Sequence, residues 1–161
     1  MASILASRGA RSSSSSASSS DGFAALLGES LHALRRDCPE AYREAVRRLD
    51  GAPVRVEVGG ERVLVRGAGG AHEIDEAAFD PAAATLVTRP DVLVALLDGE
   101  ARLLDCLLDD RLVLAGPVPV LLRLHEALVW YLRGAVRSAA FPGLLHRLRA
   151  WSRGQEGSHA L

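Results

Sequence analysis

One segment of the chain, residues 118–136, would be apolar on almost its whole circumference if it formed a helix. On a helical wheel its charged side chains Arg123, Glu126 and Arg133 fall on a single narrow stripe. A helix at the surface of a globular protein usually carries an apolar stripe of about 100°, and this one is about twice as wide. The segment is therefore expected to be buried on two sides.

Three arrangements would bury such a helix, and the sequence leaves all three open. A sheet can cover one side while a second helix, at 141–152, covers the other. One side can line an apolar pocket for a lipid, since ligand pockets have mostly apolar walls. The third arrangement is a dimer interface. In a chain of 161 residues, a single domain can bury enough surface for a core around this helix.

The hydrophobic pattern of the rest of the chain changes between a helical period and a strand period. Helices are predicted at about 22–36, 39–49, 90–98, 101–108, 118–136 and 141–152. Strands are predicted at 54–58, 62–66, 71–76, 84–88 and 112–115, with Gly59-Gly60 as a hairpin turn. Because strands and helices do not alternate, we expect an α+β fold with a five-stranded antiparallel sheet and helices packed on one face. Thr88, three residues before Asp91, is expected to cap the helix that follows.

The first 21 residues differ from the rest in composition and are rich in serine. They lack the apolar content needed to offset the entropy of ordering, which predicts a disordered tail for 1–21. Since they carry arginine and no acidic residue before Asp21, a targeting segment is the alternative. The remaining chain is divided into a domain at 22–137 and a C-terminal basic amphipathic helix with its tail at 138–161.

Charge is distributed unevenly, although the net charge of −1 argues against nucleic-acid binding through bulk charge. No acidic residue occurs between Glu126 and Glu156, and five arginines do. A basic amphipathic helix of this kind suits docking on an anionic membrane surface through residues 141–153. The side chains expected to dock are Arg147, Arg149, Trp151 and Arg153. A solvated face in an arginine-rich chain is the alternative.

Signatures of catalysis are missing from the sequence. We find no nucleophile elbow, phosphate-binding loop or zinc-ligand spacing. Glu73 and Asp75 share a face of a short strand, where a solvated role is expected rather than acid–base chemistry. Cys38 and Cys106 are expected to be free thiols in a reducing compartment, although a disulfide is not excluded. The sequence thus predicts a cytoplasmic protein that is not an enzyme and holds neither a metal nor a cofactor.

Four stretches together resemble a known family. Leu49-Asp50-Gly51 leads from a helix into the hairpin at 54–66, and the strand at 84–88 leads into a helix that begins Pro90-Asp91. That helix ends at Asp98-Gly99-Glu100, and the strand RLVLAG at 111–116 precedes the apolar helix. In pattern and order, residues 38–136 resemble the sterol-carrier-protein type two domain. The helix after 137 lies outside the family's common pattern.

This resemblance implies a twisted five-stranded antiparallel sheet and an apolar tunnel that holds a sterol, an acyl chain or an isoprenoid lipid. It also implies a carrier role without catalysis. The residues expected to contact the lipid are Leu104, Leu107, Leu108, Leu121, Leu124, Leu128, Tyr131 and Leu132. The alternative is an interaction or regulatory module that buries the same apolar surfaces against a partner enzyme.

Overall fold

The structure is a computed structural model, and it describes residues 22–158. Its helices are α1 (Phe23–Asp37), α2 (Pro39–Leu49), α3 (Pro90–Asp98), α4 (Leu103–Leu108), α5 (Val118–Ala135) and α6 (Phe141–Ser158). Its strands are β1 (Val54–Val58), β2 (Glu61–Ala68), β3 (Ala71–Asp75), β4 (Ala84–Thr88) and β5 (Leu112–Ala115). Each predicted element is present, and α6 continues beyond its predicted end at 152. The tail predicted for 1–21 lies outside the described residues.

The five strands form one sheet in the order β3-β2-β1-β4-β5. The pairs β1–β2, β2–β3 and β4–β5 are antiparallel, whereas β1 and β4 are parallel, with Val54 opposite Ala84. The prediction of a purely antiparallel sheet is therefore wrong for one pair, and the sheet is mixed. Residues 76–83 carry the chain from the end of β3 back to the end of the sheet at which β1 begins. As a result, β4 enters the sheet in the same direction as β1.

The core lies between the helices and one face of the sheet. Alternate residues of β1 and β2, including Val54, Val58 and Val65, are buried under the helices. Gly59 and Gly60 join these strands with φ angles of 59° and 86°, a backbone conformation that glycine adopts without steric cost. The α+β class and the helical layer over one face agree with the sequence prediction.

The apolar helix α5 packs mainly against α2, and it also contacts α1 and β4. It is thus buried on more than one side, as its sequence requires. The main cover is α2 rather than the helix at 141–152, which contacts chiefly α1 and α3. The polar stripe of α5 lies at the border of its packing with α2: Arg123 donates to the carbonyl oxygen of Asp50, and Glu126 pairs with Arg48.

The predicted cap of α3 is not formed. The N-cap residue is Arg89, and no side chain among residues 22–158 caps this helix. Thr88 ends β4 instead, and its hydroxyl donates to the carbonyl oxygen of Arg111 at 3.0 Å. The pairing of β4 with β5 places that carbonyl beside Thr88. The Thr88 hydroxyl therefore bonds to β5 and does not cap α3.

Both cysteines are free thiols, and Cys106 is buried. Within residues 22–158, no helix is long and apolar enough to cross a bilayer. The division between 137 and 138 stays a prediction. In the structure, α6 packs on the same layer of helices as the rest of the domain.

Candidate functional site

An apolar pocket of about 150 Å³ lies between the helical layer and the sheet. Its floor is the helix-covered face of the sheet, and its walls come from α1, α2, α3, α5 and α6 and from Leu103 at the start of α4. Nearly all of the surface that faces the pocket is carbon. The floor is formed by Val54, Val56, Val58, Val65 and Leu86. Among the wall residues are Leu27, Leu31, Val46, Leu93, Leu97, Leu124, Leu128, Leu144 and Leu148.

The local sequence explains why the walls are apolar. In α1, Phe23, Leu27 and Leu31 recur at helical spacing and point toward the sheet. The same period in α6 brings Leu144, Leu145 and Leu148 to its inner side. The strands contribute every second residue because side chains alternate between the two faces of a sheet. A pocket with carbon walls favours an apolar occupant, because the hydrophobic effect drives apolar groups out of water.

Four polar side chains also line the pocket, and three of them use their hydroxyl hydrogen inside the protein. Tyr131 donates to Oγ of Ser30 at 2.7 Å, and Ser30 donates to the carbonyl oxygen of Leu27 at 2.7 Å. Thr88 donates to the Arg111 carbonyl oxygen. Burial raises the pKa of Tyr131 to about 12, and its bond to Ser30 opposes this shift. The Tyr131 hydroxyl is therefore neutral at neutral pH.

The fourth polar side chain, His72, belongs to the edge strand β3. Its Nδ1 atom lies 2.8 Å from the hydroxyl of Tyr42, and its backbone N–H donates to the same hydroxyl at 3.2 Å. The ring of His32 in α1 stands edge-on to His72 with centroids 5.0 Å apart. Burial lowers the pKa of His72, and the nearby His32 and Arg35 lower it further. The neutral form of the ring is therefore favoured in the fold.

The structure brings only half of the predicted lipid-contact residues to the pocket. Leu124, Leu128, Tyr131 and Leu132, all in α5, line it. Leu107 and Leu121 pack against the core next to the sheet without lining the pocket. Leu104 and Leu108 are exposed, with 60% and 74% of their surfaces accessible. Whether any of these residues contacts a lipid stays a prediction.

The residues predicted to dock on a membrane are largely engaged within the domain. Arg147 pairs with Glu29 of α1, and Arg149 pairs with Asp98 of α3. The indole of Trp151 packs on Phe23 with ring centroids 5.8 Å apart and donates to Glu61 at 2.9 Å. Arg153 is exposed. The basic face of α6 thus meets acidic residues of this chain, and its apolar face closes the pocket.

The contributions of α1, α2, α3, α6 and β3 to the pocket were not predicted from the sequence. The leucines of α1 and α6 look like ordinary core residues in the sequence, because a period of 3.6 is the same for a core and a pocket wall. His72 gave no signal, since its partner Tyr42 is 30 residues away. Glu73 and Asp75 lie on β3 beside His72, and both are exposed.

The pocket has the chemistry of a binding site for an apolar molecule. Among residues 22–158, no group of three or more His, Cys, Asp or Glu side chains is placed to hold a metal ion. Oδ1 of Asp75 is used in the loop, where it accepts from the backbone N–H groups of Ala77 and Ala78.

No protein-family model matches the chain, and no curated protein matches it. Solved structures do match. A ubiquinone synthesis protein described as UbiJ-SCP2 has 23% identity and a TM-score of 0.48, over 65% of this chain and 94% of that one. Sterol carrier protein 2 has 19% identity and a TM-score of 0.48, over 71% of this chain and 96% of that one.

A third solved structure is a conserved hypothetical protein of Thermus thermophilus that is described as a possible sterol carrier protein. It has 17% identity and a TM-score of 0.46, over 66% of this chain and 84% of that one. The descriptions of all three name or suggest the SCP2 kind of protein, which is the family that the sequence resembles. At these identities the likeness concerns the fold alone.

Proposed function

We propose that this chain is a small lipid-binding protein that holds an apolar ligand between its helices and its sheet. The observation that carries the proposal is the pocket itself, whose surface is almost entirely carbon. Well-packed interiors contain few voids larger than a water molecule. A pocket of about 150 Å³ in a domain of this size is therefore better explained by an occupant than by imperfect packing.

The size of the pocket bears on how a ligand enters. An apolar cavity of about this volume in another protein admits a single benzene ring. An acyl chain contributes about 0.8 kcal/mol for each buried CH₂ group, so a ligand gains affinity as more of it enters. A full chain or a sterol requires the walls to move apart. The short helix α4, which packs chiefly on β5, and the helix α6, held partly by surface ion pairs, are the elements expected to move.

The proposed role is non-enzymatic and cytoplasmic. The polar groups that line the pocket are hydroxyls and one imidazole, and the hydroxyls are committed to hydrogen bonds within the protein. Such a site suits capture, presentation or transfer of a lipid. A membrane contact through 141–153 is not part of this proposal, because Arg147 and Arg149 already pair with carboxylates of α1 and α3.

Native mass spectrometry of the full chain, followed by solvent extraction and lipid identification, tests the proposal. A retained apolar adduct close to one per chain is the expected result. The matched variants are Ala127→Leu, which adds carbon atoms to the pocket wall, and Ala150→Leu, which adds the same atoms to the exposed side of α6. Only Ala127→Leu should lose the adduct. An empty wild-type protein that also ignores added fatty acids, sterols and quinones would contradict a carrier role.

A second candidate function is an interaction module that binds a partner enzyme. It is favoured by exposed apolar side chains on the two helices that flank β5. These are Leu104, Leu108, Val118 and Leu122, each at least 60% accessible. Chemical cross-linking in the native cell extract, compared between wild type and Leu104→Ser/Leu108→Ser, tests it. A specific cross-linked partner that the double variant loses, in a protein without bound lipid, would favour this function.

A further inference from the structure

We propose that the end of the pocket at His72 binds the carboxylate head of an acyl ligand while the chain extends into the apolar part. The proposal rests on the lipid-binding function proposed above and names the ligand class. The head would lie where β3 meets α1 and α2, and the side chains that would receive it are His72, His32 and Arg35.

The position of His72 follows from the sheet. His72 is opposite Gly67 of β2, and Ile74 is opposite Val65. Residues two apart on a strand share a face, so His72 lies on the helix-covered face together with the buried Val65. Because β3 is the edge strand, His72 is placed at the side of the pocket and lines it.

The hydrogen bonds of Tyr42 determine which nitrogen of His72 carries the proton. The Tyr42 hydroxyl accepts from the backbone N–H of His72 at 3.2 Å, which leaves its own hydrogen for Nδ1 of the ring at 2.8 Å. The opposite assignment would leave the hydroxyl hydrogen of the buried Tyr42 without an acceptor among the described residues. The neutral ring therefore carries its hydrogen on Nε2. Within residues 22–158 this Nε2–H has no hydrogen-bond partner, so it can donate to a ligand.

The other polar groups of the pocket wall do not offer a donor. The hydroxyl hydrogens of Ser30, Thr88 and Tyr131 are all used in bonds to protein oxygen atoms. In the described part of the chain, His72 is thus the one side chain of the pocket with a hydrogen to give. A ligand oxygen that must accept a hydrogen bond is directed to this end.

The charges around His72 favour an anionic oxygen over a neutral one. His32 stands 5.0 Å away, ring to ring, and the Arg35 guanidinium lies over the Tyr42 ring at 5.8 Å from its centroid. Both belong to α1, three residues apart, on neighbouring positions of the helix surface. Among residues 22–158, neither makes an ion pair with a carboxylate. These basic groups also lower the pKa of His72, as expected where positive potential is left without a counter-charge.

The test compares ligands that share a chain and differ in the head. Pyrene-labelled dodecanoic acid, its methyl ester and the corresponding alcohol are titrated into the full chain, and pyrene fluorescence gives each Kd. Wild type should bind the acid about tenfold more tightly than the ester, since a hydrogen bond to a charged group exceeds one to a neutral group. His72→Phe should reduce this preference to within about twofold, because it weakens binding of the acid more than binding of the ester, whose carbonyl oxygen accepts only a neutral hydrogen bond.

Two further variants complete the test. His125→Phe is the matched control, because His125 is half-buried in α5 and does not line the pocket; it should keep the preference for the acid. Arg35→Gln changes an exposed side chain, so it preserves the fold and should weaken binding of the acid alone by about threefold to tenfold.

Equal binding of acid and ester by wild type would overturn the carboxylate site and leave the lipid-binding function standing. A preference for the acid that survives both His72→Phe and Arg35→Gln would also overturn it. Failure of all three probes to bind would instead remove the proposed function and, with it, this inference.

Discussion

The hydroxyl of Tyr131 in α5 donates a hydrogen bond of 2.7 Å to Oγ of Ser30 in α1, so the two helices are linked inside the pocket wall. Ser30 passes its own hydrogen to the carbonyl oxygen of Leu27. The pair therefore has a direction, with Tyr131 as the first donor and a backbone oxygen as the last acceptor. This direction determines which group loses its hydrogen-bond partner when either side chain is truncated.

Removing the acceptor is expected to cost more than removing the donor. Ser30→Ala leaves the Tyr131 hydroxyl buried without its acceptor, which costs about 1–3 kcal/mol of unfolding free energy. Tyr131→Phe removes the donor while Ser30 keeps its bond to Leu27, which costs about 1 kcal/mol or less. Urea unfolding at neutral pH measures both. The assigned direction of the bond is wrong if Tyr131→Phe is the more destabilising of the two.

The pKa of Tyr131 predicts a loss of stability at alkaline pH. Burial raises this pKa from 10.0 to about 12, so the folded state holds its proton where the unfolded state has released it. The contribution of Tyr131 is fully present below pH 10 and is lost as the pH rises toward about 12. Urea unfolding at about pH 9 and about pH 11 should show a smaller decline for Tyr131→Phe than for wild type. Identical declines would contradict the raised pKa.

The order of the elements and most of their bounds could be predicted from the sequence because their causes are local. Pro39 begins α2 and Gly99 ends α3, as the positional preferences of these residues require. The parallel pairing of β1 with β4 could not be predicted in this way. It depends on the position at which residues 76–83 return the chain to the sheet. The hydrophobic pattern of a strand does not specify which other strand it pairs with.

The candidate site was predicted in part, for the same physical reason. The excess of apolar surface on α5 indicated a second buried side, and Leu124, Leu128, Tyr131 and Leu132 line the pocket. Leu104 and Leu108 are four residues apart, which is also the spacing of a buried helix face, yet both are exposed. The short helix α4 buries only the side that carries Cys106. The bond between Tyr42 and His72 arises only when α2 packs over the edge of the sheet.

Glu61 is expected to stabilise the fold more than its position on a surface hairpin suggests. One carboxylate oxygen accepts from the backbone N–H of Phe23 at 2.6 Å, where α1 begins without a side-chain cap, and the other accepts from the Trp151 indole at 2.9 Å. A carboxylate at a helix N-terminus is favourable, and a buried indole N–H needs an acceptor. Glu61→Ala should therefore lower the unfolding free energy by roughly 2 kcal/mol.

Glu57→Ala is the matched control for this change. Glu57 lies on the paired strand β1, and its ion pair is with the exposed Arg62. Truncating it should cost no more than about 0.5 kcal/mol, as surface ion pairs contribute little. Thermal and urea unfolding of both variants measure the difference. Equal costs would show that Glu61 acts as an ordinary surface residue.

Gly134 allows α5 to approach α1 and α2 closely. A Cβ atom at this position would lie 3.0 Å from Cβ of Ala41 and 3.0 Å from Cγ of Leu34, which is fully buried. In Gly134→Ala, overpacking lowers the unfolding free energy by about 1–3 kcal/mol, and the higher helix propensity of alanine raises it by about 1 kcal/mol. Gly154→Ala makes the same exchange in α6, where no atom of the described residues lies within 4 Å of the new Cβ. Urea unfolding should show that Gly154→Ala stabilises the protein by up to about 1 kcal/mol and that Gly134→Ala does not. An equal gain at both positions would mean that α5 can move away from α1 and α2 without cost.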